Sequence, residues 1–336
     1  MSNFIETSLP LVSVLMTVFN AEKYLANSIE SICHQTFRDW EFLIVDDAST
    51  DDSVKIAEEY ALKDQRIRVI QNDLNKGQTA CLNQGLNEAR GKWIARQDAD
   101  DLSLPTRLEQ QIKCVAHHPT LALVGSCGFM IDSLDHLVGL LDVPLRQEVI
   151  YWSAPIANPF LHTSVLFQRD IVRFLGGYDT TYHIAQDYDL WGRLLAGGYE
   201  TKNLSERLIC YRHLSHSLSQ NNQQQTFQEI SIISERLAKE IFREALSSEE
   251  RALLQGWRSS SEQIAFWNLY RKLSYSLIQE NILIQKDHAR FTAALYLNVA
   301  GSSSGVSRFT NLIAACVEDP GFVMYWISER FFPKSF

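Results

Sequence analysis

The chain has no long apolar run. No stretch approaches the roughly 18 consecutive apolar residues that a membrane-spanning helix needs. Its first residues, "MSNFIETSLP", lack the basic segment and apolar stretch of a secretion signal. A soluble, cytoplasmic protein is expected, with peripheral contact to the inner face of the membrane as the one membrane role left open. Cysteines are few and scattered, at Cys33, Cys81, Cys114, Cys127, Cys210 and Cys316, and no C-x-x-C pair occurs. Neither a zinc site nor a disulfide framework is signalled, and thiols set in apolar runs fit a reducing compartment. No Lys/Arg run offsets the formal net charge of -9, which excludes a general nucleic-acid binder. No G-x-G-x-x-G follows the first strand-like segment and no Walker A loop occurs, so dinucleotide-binding and P-loop folds are excluded. No internal repeat is found.

The 336 residues are 46% hydrophobic, enough to build one large core or two smaller ones. The first 130 residues alternate strand and helix patterns. "LVSVLMTVF" (11–19) is a continuous apolar run of strand length, as a strand buried on both faces requires. Asn20 is placed to cap the following helix. "WEFLIVDD" (40–47), "RIRVIQN" (66–72), "KWIARQD" (92–98) and "LALVGSCGFMID" (121–132) are the next strands, with amphipathic segments between them. This alternation predicts an α/β fold, a mostly parallel sheet covered by helices on both faces. Later, "TSVLFQ" (163–168) and "ERLICYRH" (206–213) read as strands and "DYDLWGRLLAGG" as a helix. Composition turns polar at "SQNNQQQTFQ" (219–228). A boundary near residue 219 is expected, with a helical region over 220–336. Ile230, Ile233, Leu237 and Ile241 share one helical face there.

Two acidic clusters fall at strand ends, where ligands bind in open parallel sheets. Asp46 and Asp47 follow "FLIV". Asp98, Asp100 and Asp101 follow "WIARQ". Carboxylates gathered this way need a cation, a donor-rich ligand, or both. Mg²⁺ and Mn²⁺ take oxygen ligands and are commonly shared between carboxylates and phosphates. Capping of the helices that follow is the alternative role for these acids.

In this order, the stretches "VSVLMTVFNAEKYLANSIESICHQTFRDWEFLIVDDASTDDS", "NKGQTACLNQGLNEARGKWIARQDADD", "LPTRLEQQ", "LGGYDTTYHIAQDYDLWGRLLAGG" and "ERLICYRH" resemble glycosyltransferase family 2, the inverting enzymes of the GT-A fold. The resemblance spans about residues 11–219. It implies a nucleotide-sugar donor, UDP-linked by expectation, and an acceptor hydroxyl on a glycan or lipid-linked saccharide. It implies that Thr17, Val18, Phe19 and Asn20 wrap the base and that Asp47 hydrogen-bonds it, with Asp46 alongside. It sets Asp100 near the ribose and donor sugar, and Asp101 as ligand to Mn²⁺ or Mg²⁺, with Asp98 as the first acid of a D-x-D. The roles can exchange among these three.

Inversion needs a base for the acceptor proton. The resemblance places Asp187 in that role, preceded by Gln186 where a glutamate is usual. An N-cap role for Asp187 is compatible with it. Asp189 is the spare candidate for the base, read first as structural. His162 is set on the acceptor side or in the core. Arg212 is set toward the diphosphate or a core carboxylate. In "YRHLSH" one of His213 and His216 approaches the metal. Arg107 supports the acidic loop, and Lys76 is solvated. The tail "FVMYWISERFFPKSF" (322–336) suits either docking on the catalytic domain or a membrane interface. Two rivals remain at this point. A nucleotidyltransferase would open with a glycine-rich basic loop, unlike "TVFNAEKY". A binding subunit without turnover would keep the acids but not the reaction.

Overall fold

The computed structural model describes residues 9–214 and 222–241. The tail 322–336 and His216 lie outside the described residues, as does the expected boundary near 219. Strand β1 (Val12–Val18) is buried at all seven positions, because it pairs in parallel with β2 (Trp40–Asp46) on one side and β4 (Trp93–Asp98) on the other. Strand β3 (Ile67–Gln71) extends the parallel block beyond β2. Among the described residues the sheet has nine strands in the order β3-β2-β1-β4-β8-β6-β9-β5, with β7 added on β6. Strand β8 (Leu166–Gln168) runs antiparallel to β4 and to β6 (Leu121–Ile131). The long strand β9 (Glu200–Arg212) is parallel to β6 and pairs antiparallel with the two-residue β5 (Leu102–Ser103). The hairpin strand β7 (Leu137–Leu141) completes the sheet. The α/β architecture is the expected one, with a mixed rather than uniformly parallel second half.

Alternation along the strands distributes two cores. Val12, Val14, Met16 and Val18 face helices α1 (Glu22–Cys33), α2 (Ser53–Lys63) and α4 (Arg107–His117) through Leu25, Ile29, Ala57 and Leu108. Leu15, Leu43 and Val45 face the other way, toward Cys81, Leu82 and Leu86 of α3 (Gln78–Glu88). On that face also lie α5 (Gln147–Ser153), α6 (Arg169–Phe174) and α7 (Gln186–Ala196). Helix α8 (Gln223–Ile241) begins within the polar stretch, yet Ile233, Leu237, Ala238 and Ile241 join this same core beside Trp191 and Leu194 of α7. The approach is close: a Cβ added at Gly192 of α7 would lie 2.9 Å from a methyl of Leu237.

Two local expectations are corrected. The strand expected from residue 163 starts only at Leu166, after a 3-10 turn at His162–Ser164. There the Thr163 hydroxyl accepts from the Asp98 amide at 3.2 Å and the Ser164 hydroxyl from the Ser126 amide. Short hydroxyl side chains compete with the ladder in this way. Asn20 does not cap α1. It adopts φ +49 and its Oδ1 accepts from the Thr50 amide at 2.8 Å, tying the loop after β1 to the loop after β2.

Removing a fully buried leucine side chain costs about 2–5 kcal/mol. Leu237→Ala is therefore expected to lower the denaturant midpoint of the whole α/β unit in one transition. A separate, earlier transition with the main one unmoved would show that α8 is not part of this core.

Candidate active site

Register fixes where the acids meet. On β1, Val18 pairs with Asp46 and Thr17 pairs with Asp98. The two clusters therefore flank the carboxyl end of β1, about 10 Å apart given two strand spacings. The surrounding loops are cross-linked. Besides Asn20, the Ala21 amide donates to Ser53 Oγ and the Glu22 amide to Asp51, while Glu22 accepts from the Asp52 amide. The Val18 side chain lies in the core, and its carbonyl accepts from the Asp47 amide. The Phe19 side chain is 52% exposed beside them.

Asp47 is held by its own chain. The amides of Lys76 and Gly77 donate to its two oxygens at 2.8 Å each. Gly77 sits at φ +87, a backbone conformation that side chains resist. Lys76 Nζ donates to Asn72. Asp46 is also buried. Its Oδ2 accepts from the Ser49 amide, while Oδ1 has no partner.

The second cluster rests on buried arginines. Arg96 has no exposed surface and donates to Asp98 Oδ1 at 2.7 Å, and to the Leu15 and Gln97 carbonyls. Arg107, equally buried, donates to Gln97, Ser103 and the carbonyls of Arg96 and Val165. Burial, then the neighbouring Arg96 charge, lowers its pKa to about 9. Asp101 is buried and its Oδ1 accepts from the Arg212 amide at 2.7 Å. Its Oδ2 makes no well-formed hydrogen bond. Burial, then Asp98 and Asp100, push Asp101 well above the ordinary carboxyl value, and the nearby Thr163 hydroxyl offsets part of that rise. Asp100 is raised in the same way, by burial and then by Asp98. Tyr211 faces the cluster: burial, then the charges of Asp101, Asp98 and Asp100, raise its phenol to about 12.

Arg212 is more occupied than a free diphosphate ligand. Nε donates to the Asp100 carbonyl, Nη1 donates to the Asp132 carbonyl and pairs with Asp135, and the guanidinium stacks on Tyr24 at 4.3 Å. Nη2 is buried without a partner. The His213 side chain is exposed while its amide donates to the Ile131 carbonyl.

Asp187 stands in the first turn of α7. Asn158 Nδ2 donates to its Oδ2 at 2.8 Å. Burial raises its pKa to about 6, the Tyr188 amide and Asn158 work against that, and the charge of Asp98 adds to the rise. Two acids 89 residues apart in the chain thus feel one another. Leu190, Trp191 and Leu194 anchor the helix below. Asp189 is fully buried between Arg193 and Arg236 at 2.7 Å each, the structural role expected of it. Gln186 is buried, paired through Nε2 with Gln78 and unpartnered at Oε1. His162 contacts the edges of the Tyr178 and Trp191 rings, and its Nε2 lies 3.2 Å from the Tyr178 hydroxyl. Burial, then Arg96, hold its pKa well below the ordinary value, so the ring is neutral.

Sequence reasoning missed Arg96, Asn158 and Thr163. Arg96 carried a signal, an arginine inside a strand buried on both faces. Asn158 and Thr163 carried none.

An acid-rimmed sheet end beside a raised carboxyl can hold a cation and accept a proton. Comparison with known proteins makes this specific. Residues 13–163 match the model of glycosyl transferase family 2. The chain is 37% identical over 216 residues to the putative glycosyltransferase EpsE of Bacillus subtilis (strain 168), covering 63% of this chain and 77% of that one. It is 32% identical over 209 residues to the O-antigen biosynthesis glycosyltransferase WbnJ of Escherichia coli, covering 61% and 80%. Staphylococcus aureus TarS 1-349 in complex with UDP-GlcNAc superposes with TM-score 0.54 at 16% identity, covering 92% and 90%. The mannosyltransferase PcManGT of Pyrobaculum calidifontis, in complex with GDP-Man and Mn²⁺, superposes with TM-score 0.52 at 17% identity, covering 98% and 89%. The chain belongs to glycosyltransferase family 2 and is a glycosyltransferase of the GT-A-like fold.

A carboxyl whose pKa rises on folding binds more protons in the folded state. For Asp187 the window runs from 3.8 to about 6. Its contribution to stability is therefore lost as pH rises through that window. Asp187→Asn is expected to have a higher denaturant midpoint than the wild type above pH 6, with the gap closing toward pH 4. A lower midpoint at pH 7 would contradict the burial described here.

Proposed function

We propose that the chain transfers a sugar, with inversion, from a nucleotide-diphosphate donor to a hydroxyl of a glycan or lipid-linked saccharide. The observation that carries this is Asp187, held by Asn158 and raised to about 6 within the electrostatic reach of Asp98. A base near that value is ionised at neutral pH and still a competent proton acceptor. Asp187 takes the proton from the acceptor hydroxyl as its oxygen bonds the anomeric carbon. The bond from that carbon to the diphosphate breaks, and the nucleotide diphosphate leaves with the electron pair.

Among the described residues no group of three or more His, Cys, Asp or Glu converges as a metal site, so a hard divalent cation at the second cluster would be shared with the phosphates of the donor. Asp101 presents a buried carboxylate oxygen without a well-formed hydrogen bond, and Asp100 is raised beside it. Asp101 and Asp100 would hold Mn²⁺ or Mg²⁺, with Asp98 as the first acid. When bound, the cation neutralises the departing diphosphate. One of His213, whose side chain is exposed, and His216 would approach such a site. The carboxyl end of β1, with Thr17, Phe19, Asn20, Asp46 and Asp47, receives the nucleotide. Asp46 supplies the unpartnered oxygen there. Arg212 steadies the acidic loop, and its unpartnered Nη2 is available to a phosphate oxygen. His162 and Gln186 lie on the acceptor side.

The mixed nucleotides of the structural neighbours, UDP-GlcNAc and GDP-Man, leave UDP as the first donor to try. Names among the relatives, O-antigen, amylovoran and teichuronic acid biosynthesis, favour a growing polysaccharide as acceptor. No helix among the described residues is long and apolar enough to cross a membrane.

Nucleotide release from UDP-, GDP- and dTDP-sugars, with Mn²⁺ or EDTA, tests the reading. Metal-dependent release from one donor is expected, reduced about 100-fold or more in Asp187→Asn. Turnover at the wild-type rate in that variant removes Asp187 as base. UDP binding by calorimetry without turnover on any donor and acceptor would favour the binding-subunit alternative. In the same samples, Mn²⁺ at about 100 times its dissociation constant should stabilise the wild type by about 2.7 kcal/mol. Asp101→Asn should lose that gain.

A further inference from the structure

Helix α8 lies beyond both the matched family region and the stretches of resemblance, yet it grips the catalytic helix at the turn that carries Asp187. Glu229 is 7% exposed, and its carboxylate accepts four hydrogen bonds. The His183 amide donates to Oε1 at 3.1 Å, and the Ile184 and Ala185 amides donate to Oε2 at 2.9 Å each. Gln225 Nε2 donates to Oε1 at 2.9 Å. These three amides belong to the segment that leads directly into α7. The residue before the helix, Ala185, has no side chain able to cap it. A helix start normally finds such acceptors locally. Here the acceptor comes from 44 residues downstream.

A second grip falls two residues past Asp187. Arg236 Nη1 donates to Asp189 Oδ1 at 2.7 Å and its Nη2 to the Asp189 carbonyl at 3.3 Å. A third reaches the partner of the base. The Ser234 hydroxyl donates to the Pro155 carbonyl, in the turn that leads to Asn158. Asn158 in turn donates to Asp187. One helix thus ties down both members of the Asn158–Asp187 pair, by Glu229 and Arg236 on one side and Ser234 on the other.

We propose that Glu229 is a positioning residue for the transfer reaction, setting the entry of α7 and hence the aim of the Asp187 carboxylate, which makes α8 part of the catalytic machinery. The inference rests on the reading of Asp187 as the base. Glu229→Gln tests it with little change of shape. All four of its bonds need an acceptor, and whichever oxygen becomes an amide nitrogen loses two of them.

Two measurements on the full chain decide. Amide hydrogen exchange in residues 183–190 needs no substrate. Faster exchange there than in β1 of the same variant is expected, and wild-type protection overturns the proposal. Turnover of UDP-GlcNAc and GDP-mannose with Mn²⁺ is the second. A fall in kcat of about tenfold or more is expected, since ångström-scale misplacement costs up to about 100-fold. KM for the donor and UDP affinity should stay within about twofold, because a positioning defect acts on the transition state. Faster exchange with unchanged kcat would make Glu229 a stability residue only and overturn the proposal. Asp187→Asn is run beside it. If that variant keeps wild-type turnover, the base reading fails. If it is inactive while Glu229→Gln keeps full kcat, only the present inference fails. Should Glu229→Gln not fold, Arg236→Lys, which loosens the grip at Asp189 but keeps the charge, is expected to show the same kcat loss, and unchanged kcat in it overturns the proposal.

Discussion

The ion pair between Arg96 and Asp98 is the contact on which the site depends. Three carboxylates within four residues repel one another, and burial penalises Asp100 and Asp101. Arg96 sets a permanent cation beneath them, at no exposed surface. Buried pairs of this kind seldom add net stability, because desolvation consumes the attraction. What this one supplies is placement. Arg107 then fixes Gln97, Ser103 and the Arg96 carbonyl, and the Arg212 amide fixes Asp101. The remaining imbalance is visible in the raised carboxyls of Asp100 and Asp101. A bound cation would relieve it.

The same logic of unequal satisfaction separates the two acids at the end of β2. Asp47 takes one amide on each oxygen, from Lys76 and Gly77, which fixes its aim at the end of β2. Asp46 keeps one oxygen open. The pair is adjacent in sequence and alike in chemistry. Their partners differ because alternate residues of a strand end face different surroundings.

Much of this was legible in the chain. A continuous apolar run of strand length gave β1, and the alternation of short strand-like and amphipathic segments gave β2 and β4. The acidic clusters stood out because solvated loops have no reason to collect like charges after such runs. The buried anchors Leu190, Trp191 and Leu194 followed from helical spacing, and Asp187 from the resemblance to the family. Less legible were the features made by distant partners. Asn20 reads as a cap, but Thr50 takes its oxygen. Thr163 and Ser164 read as strand, but their hydroxyls bond to β4 and β6 and turn the chain. The polar run before α8 reads as the edge of an appendage. Glu229, buried among backbone amides of another segment, looks like any surface glutamate until the fold is known.

Helix α8 also orders events in time. Proteins are made from the N-terminus, and domains begin to form as they emerge. Strands β1 to β4 and their helices lie within the first 98 residues, so the nucleotide end of the site can assemble early. Arg212, which holds the Asp101 carboxylate, arrives more than a hundred residues later, and Glu229, Ser234 and Arg236 later still. The nucleotide end of the sheet is thus made first, while the contacts that fix Asp101 and the entry to α7 close only once the chain has passed residue 211.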